Sequence, residues 1–199
     1  MLFDTYIKNS RLPIRYLRDI PLTPSLADEQ VFIDLSEIKS NIKSFVDDGK
    51  NLLICSNNCG NGKTTMATKI LKEYIKEVQG YSFKNNTPAL FINVNNFLSD
   101  KKNSINDHDK SEQIRKIENC ILTAKLVVFD DIADKALTEY DLNSLYYWLD
   151  YRTSNLKSCI FTTNMLPDQL KANLSGKVYS RVVNYSIIKC LTDGDHREN

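Results

Sequence analysis

Two short stretches hold the residues best suited to chemistry. The first is Ser56-Asn57-Asn58-Cys59-Gly60-Asn61-Gly62-Lys63-Thr64-Thr65. Its glycines, lysine and hydroxyl have the spacing of a phosphate-binding loop. Gly60 and Gly62 allow backbone shapes closed to other residues, so that amides can point at phosphate oxygens. Lys63 would reach the β- and γ-phosphates, and the Thr64 hydroxyl would ligate Mg²⁺. Candidate nucleotide contacts are therefore Asn58, Cys59, Gly60, Asn61, Gly62, Lys63, Thr64 and Thr65. Position 57 departs from the usual glycine, but Asn tolerates a left-handed backbone better than most side chains.

The second stretch is Lys125-Leu126-Val127-Val128-Phe129-Asp130-Asp131, an apolar run closed by two acids. A buried strand of this kind delivers carboxylates to the C-terminal edge of a parallel sheet, where such sheets place their ligands. Asp130 would hold Mg²⁺, directly or through water. Asp131 would orient and deprotonate an attacking water. A third run, Cys159-Ile160-Phe161-Thr162-Thr163-Asn164, also ends in polar residues, which puts Thr163 and Asn164 beside the γ-phosphate.

These side chains need a frame. Leu52-Leu53-Ile54-Cys55 reads as the strand before the loop. Met66, Ala67, Ile70, Leu71, Tyr74 and Ile75 recur at helical spacing after it. Ala89–Val94 predicts another buried strand, and Ile187–Leu191 a last one. Leu35 to Asp48 predicts one helix, ended at Asp47-Asp48-Gly49. Ile114, Ile117, Cys120 and Ile121 predict a helix before the acidic strand. Thr138 and Asp141 predict a capping box opening a helix with Leu142, Leu145, Tyr146 and Leu149 on one face. Its Tyr147, Trp148 and Tyr151 are expected to pack in the core rather than stack on bases. Pro167-Asp168-Gln169-Leu170 starts a short helix, and Lys177–Val182 forms another.

Two segments allow two readings each. Prolines at 13 and 21 break residues 1–30, which carry Arg11, Arg15 and Arg18. This tail packs along the edge of the nucleotide site or docks a partner. Residues 99–111, with Lys101, Lys102 and Lys110, are predicted to be a loop. That loop is plain solvated surface or the lining of a DNA channel in an oligomer.

The 199 residues suffice for one domain with a proper core. A net charge of +1 rules out nucleic-acid binding driven by the overall field, so any DNA contact is local or built from several subunits. Cys55, Cys59, Cys120, Cys159 and Cys190 lack zinc spacing and read as reduced thiols of a cytoplasmic protein. No apolar run reaches membrane-spanning length.

With these motifs in order, the chain resembles AAA+ ATPases of the bacterial helicase-loader type, the DnaC/IstB-like group. Asn57–Thr64 is similar to the AAA+ loop with its first glycine changed. Val128-Phe129-Asp130-Asp131-Ile132 resembles the group's paired-Asp Walker B. Tyr151-Arg152 followed by Phe161-Thr162-Thr163-Asn164 resembles its arginine-bearing helix and sensor 1, which makes Asn164 the sensor. Ser180-Arg181-Val182 resembles box VII, which makes Arg181 an arginine finger given to a neighbouring subunit. Gly194-Asp195-His196-Arg197 is similar to the terminal signature that would make Arg197 a sensor 2 residue.

The resemblance implies a three-layer P-loop domain over residues 31–199, a five-stranded parallel sheet in order 5-1-4-3-2, and a reduced lid. It implies an ATPase using ATP and Mg²⁺, with Lys63, Asp131, Asn164 and Arg181 as the catalytic set and Thr64 and Asp130 at the metal. The implied partners are a DnaB-like replicative helicase, single-stranded DNA and further copies of this chain when ATP is bound. Loaders of this group usually carry a separate helicase-gripping N-terminal domain, and the short stretch before residue 51 leaves that part missing, reduced or located elsewhere. Two alternatives share the core: an IstB-like transposition helper, and a weakly hydrolysing nucleotide-gated adaptor.

Overall fold

Four of the apolar runs become strands covered on both faces, and the run at 186–190 becomes a more exposed edge strand. The structure, a computed structural model, describes residues 2–192. Its strands are β1 (Asn51–Cys55), β2 (Ala89–Asn93), β3 (Leu126–Asp130), β4 (Ser158–Thr163) and β5 (Ser186–Cys190). They form one five-stranded sheet in the order β2-β3-β4-β1-β5. Every pairing is parallel. This is the predicted 5-1-4-3-2 order read from the opposite edge.

Alternation along each strand divides the core in two. Leu52, Ile54, Phe91, Val128 and Ile160 face one side. There they meet residues of α1 (Leu2–Asn9), α2 (Glu29–Ser40), α3 (Ile42–Asp47) and α4 (Lys63–Glu77). Leu53, Ile92, Val127, Phe129 and Phe161 face the other side. Their cover comes from α5 (Val94–Asn103), α6 (His108–Thr123), α7 (Glu139–Ser154), α8 (Pro167–Asn173) and α9 (Gly176–Tyr179). Helices on both faces of an all-parallel sheet complete the three layers.

The helix predicted over 35–48 is two helices, parted at Asn41. The second ends in a Schellman motif: Lys50 N–H donates to Phe45 O at 3.2 Å and Gly49 N–H to Val46 O at 3.1 Å. Gly49 takes φ +68°, and a Cβ there would lie 2.9 Å from Leu156 Cβ. The capping box of α7 forms as predicted, with Thr138 and Asp141 bonded reciprocally. Trp148 is buried against Phe97, whereas Tyr147 and Tyr151 are exposed. The 177–182 helix is split into α9 and a π-helical turn, Ser180–Asn184.

The expected loop over 99–111 is corrected. Helix α5 runs on to Asn103, and α6 starts at His108 behind an Asp107 cap. Lys101 pairs with Glu118 at 2.7 Å and Lys102 with Asp141 at 2.6 Å. Polar composition had concealed a helix whose lysines are held by acids on neighbouring helices. Among the described residues no helix is long and apolar enough to cross a membrane.

The stretch from Leu2 to Leu22 is tied to the core. Tyr6, Leu12 and Tyr16 are buried on the α1–α4 side of the sheet. Leu12 to Leu22 then form a strap that passes outside the glycine-rich loop between β1 and α4 and reaches Gly62 at Leu22.

Candidate nucleotide site

The loop between β1 and α4 is built around Ser56 and Asn61, both buried. Ser56 Oγ accepts from Asn58 N–H at 3.0 Å and from Asn61 Nδ2 at 2.6 Å. Gly60 and Gly62 take φ +76° and +90°. Asn57 is not among the positive-φ residues, so its backbone needs no special tolerance. Lys63 opens α4 and is only 6% exposed. Its ammonium donates to Asn58 O at 2.7 Å and Asn61 Oδ1 at 3.0 Å. Burial pulls its pKa below the ordinary lysine value.

The paired acids arrive as β3 ends. Asp130 Oδ1 accepts from the Thr64 and Thr162 hydroxyls, each at 2.7 Å. Its other oxygen accepts from Asn93 Nδ2 at 3.4 Å. Burial raises the Asp130 pKa, and the two hydroxyl bonds oppose the rise. Thr64 and Asp130 are thus touching oxygen donors from two elements, a pairing that suits Mg²⁺. Among the described residues no cluster of His, Cys, Asp or Glu forms a metal cage on its own. Mg²⁺ commonly takes one or two protein oxygens and completes its shell with phosphates and water, so this donor set fits it.

Asp131 leaves the strand at φ +57°, and Ala133 follows at φ +63°. Both are costly for residues with a Cβ, and such strain collects at functional sites. The turn is held by Asp131 N–H on Thr162 Oγ1 at 3.0 Å and Ile132 N–H on Thr162 O at 2.9 Å. Asn93 Nδ2 bonds the Asp131 carboxylate at 2.9 Å. Burial, then the charges of Asp130 and Asp134, push the Asp131 pKa up to about 6.

Asn164 follows β4 and meets an acid the sequence reading had passed over. Asp134 Oδ1 accepts from Asn164 N–H at 2.9 Å and Thr163 Oγ1 at 3.2 Å. Its Oδ2 accepts from the Asn164 side-chain amide. Asp134 therefore fixes which way the Asn164 amide faces. The available signals were an acid three positions after Asp131, and in the case of Asn93 a polar residue closing a buried strand in register with Asp130.

The loop, Asp131 and Asn164 open onto one cavity of about 470 Å³. Cys59 through Thr65 line it together with Asp131 and Asn164. Arg15, Tyr16 and Ile20-Pro21-Leu22 of the strap form the facing wall. Asn58 stands apart from the lining, with its side chain donating to Thr192 O at 3.1 Å. Arg181 is not among the lining residues. It sits in the π-helical turn, bonded to Asp150 and lying 4.7 Å over the Tyr146 ring. Arg197 lies outside the described residues.

Arg152, read as part of a motif, is wholly buried, at the opposite edge of the sheet. It donates to the carbonyls of Ile121, Ala124, Lys125 and Ser158 and to Cys159 Sγ.

No protein-family model matches this sequence, and no curated protein matches it. The fold does match solved structures. The DnaC helicase loader is similar with TM-score 0.69 and 20% identity over 90% of this chain and 99% of that one. DnaI is similar with TM-score 0.68 and 18% identity over 94% and 95%. The replication initiator DnaA bound to AMPPCP and single-stranded DNA gives TM-score 0.67 and 16% identity, with 91% of this chain covered but 51% of that one. At these identities the shared property is the fold.

Proposed function

We propose that this chain is an ATP-driven replication protein of the helicase-loader type. The observation that carries the nucleotide reading is the convergence of three separate stretches of the chain on one cavity. Lys63, Thr64, Asp131 and Asn164 all line it, with Asp130 bonded to Thr64 directly behind. A triphosphate would lie along the loop amides at the positive end of α4. Lys63 would exchange neutral carbonyl partners for phosphate oxygens. Thr64 and Asp130 would hold Mg²⁺, which neutralises charge on the β- and γ-phosphates.

Asp131 is the general base for the attacking water. Its pKa near 6 leaves it ionised at neutral pH yet basic enough to take a proton. Asn164, aimed by Asp134, orients that water. Arg181 acts in trans: released from Asp150, it enters the site of the next subunit, where a finger of this kind is worth roughly 10³ or more in rate. The single chain is then a poor ATPase and an ATP-bound oligomer a good one.

The loader assignment is supported by the fit to the whole length of the DnaC helicase loader structure. The chain would assemble with ATP on single-stranded DNA and deliver a ring helicase. Residues 1–30 would serve as the docking element ahead of an ATPase domain spanning 31–199. Size-exclusion with light scattering tests this on the chain mixed with its host's replicative helicase, with and without ATP and single-stranded DNA. An ATP-dependent joint complex is expected. If no complex forms while DNA-stimulated ATPase persists, the loader assignment is lost and a transposition helper takes its place. Arg181→Ala should abolish the turnover gained on assembly and leave nucleotide binding intact.

A further inference from the structure

One wall of the cavity comes from neither chemical stretch. The strap and the residues leading into it are anchored before it gets there. Ser10 O accepts from Phe91 N–H at 2.7 Å on the outer strand β2. The Tyr16 ring packs on Phe91 with centroids 6.5 Å apart. Lys72 Nζ donates to the carbonyls of Tyr16 at 3.0 Å and Arg18 at 3.2 Å. Leu22 closes over Gly62 so tightly that a Cβ there would lie 2.8 Å from Leu22 Cδ2.

This frame presents one cation to the cavity. Of Arg11, Arg15 and Arg18, only Arg15 lines it. Its guanidinium lies 4.4 Å from the centre of the Tyr16 ring and donates to the Tyr16 hydroxyl. Among the described residues Arg15 has no carboxylate within ion-pair distance. Its charge is felt by Asp130, and the Tyr16 hydroxyl is in reach of Thr64. Arg15 therefore lines the cavity from the strap, on the side of the Thr64–Asp130 pair. Stacking on an aromatic ring pre-orients the planar fork that phosphate oxygens accept best.

We propose that Arg15 is a nucleotide-contacting residue, a cation supplied in cis by the strap that binds the terminal phosphate of a triphosphate and makes the site prefer ATP to ADP. This rests on the nucleotide reading above. A charge placed on the side of the Thr64–Asp130 pair meets the γ-phosphate of ATP and meets no corresponding group in ADP. Arg181 acts from a neighbouring subunit, whereas Arg15 acts within a single chain. Discrimination should therefore exist in the monomer.

Calorimetric titration of the full chain with AMPPCP and with ADP, both with Mg²⁺, tests the proposal. Wild type should bind AMPPCP more tightly than ADP. Arg15→Ala should weaken AMPPCP about tenfold or more, the scale of a lost charge-assisted contact, and change ADP less than about twofold. Arg15→Lys should recover part of the loss. Arg15→Gln keeps the stem over Tyr16 and replaces Arg15→Ala if that variant melts early. Equal weakening of both nucleotides, or no change in either, overturns the proposal. Unchanged nucleotide affinity with weaker single-stranded DNA binding also overturns it and reassigns Arg15 to DNA. Wild-type protein that binds neither nucleotide, or binding indifferent to Lys63→Ala, brings down the nucleotide reading itself.

Discussion

Two buried cations sit at opposite edges of the same sheet, and their partners tell them apart. Arg152 is 0% exposed and gives its guanidinium to four carbonyls and a sulfur. Those groups close the end of α6 and the starts of β3 and β4. A cation at a helix C-terminus is favoured by the helix dipole, and no donor is left to offer a ligand. Lys63 is 6% exposed and uses one carbonyl and one side-chain amide of its own loop. An ammonium has three donors, so Lys63 keeps capacity facing the cavity. The saturated cation is architecture, and the under-used one has donor capacity left for a ligand.

The largest effect expected from this contrast is on folding. Arg152→Met should strand buried carbonyls at ~1–3 kcal/mol for each one left unpaired. The total is several kcal/mol, a large part of the ~5–15 kcal/mol that holds a domain together. Urea unfolding should show a collapsed midpoint or no folded baseline. If Arg152→Met unfolds like wild type, the architectural role is wrong. Lys63→Ala should behave in the opposite way. Its unfolding midpoint should match or exceed that of wild type, because burial already disfavours the ammonium, while nucleotide affinity falls ~100-fold or more. A Lys63→Ala protein that loses its fold would erase the contrast.

Asp131 offers a smaller, two-signed effect. Its folded pKa, about 6, lies above the unfolded value of 3.8. A raised carboxylate pKa means the ionised form is penalised in the fold. The penalty is in force above pH 6 and is relieved as pH falls from about 6 towards 4. Asp131→Asn removes the charge and suits φ +57°. In the absence of nucleotide and Mg²⁺ at pH 7 it should stabilise the protein by ~1 kcal/mol, after discounting for partial exposure. The gain should fade by pH 4. The same variant should lose ATP turnover ~100-fold or more while still binding nucleotide. Equal stability of Asp131→Asn and wild type at both pH values would refute the burial argument.

The smallest predicted change concerns aim. Asp134→Ala frees the Asn164 amide without touching the loop or the Thr64–Asp130 pair. Turnover should drop ~10- to 100-fold with nucleotide affinity held within about twofold. An equal drop in affinity would mean that Asp134 shapes the binding site rather than Asn164.

Sequence alone was enough for whatever is written in neighbouring residues. The Gly-Lys-Thr loop lies between an apolar run and a helical stripe. The paired acids close a strand, and the 138–141 capping box forms as read. Sheet order also came through, because four strongly apolar strands and one weaker run matched a resemblance that carries an order with it.

Tertiary structure decided what depends on distant partners. The polar composition of 99–111 spelled a loop, but Glu118 and Asp141 hold Lys101 and Lys102 in and beside a helix. Arg152 entered the sequence reading only as part of a motif, and its role appeared when the crossovers stacked the carbonyls of two strands and a helix around it. Asp134 became Asn164's partner only when β3 and β4 lay side by side. The strap reached the cavity because Phe91 and Gly62, far apart in the chain, both lie along its path. Local propensity is set by side chains a few positions apart, whereas satisfying a buried charge or walling a cavity depends on groups that only the folded sheet brings together.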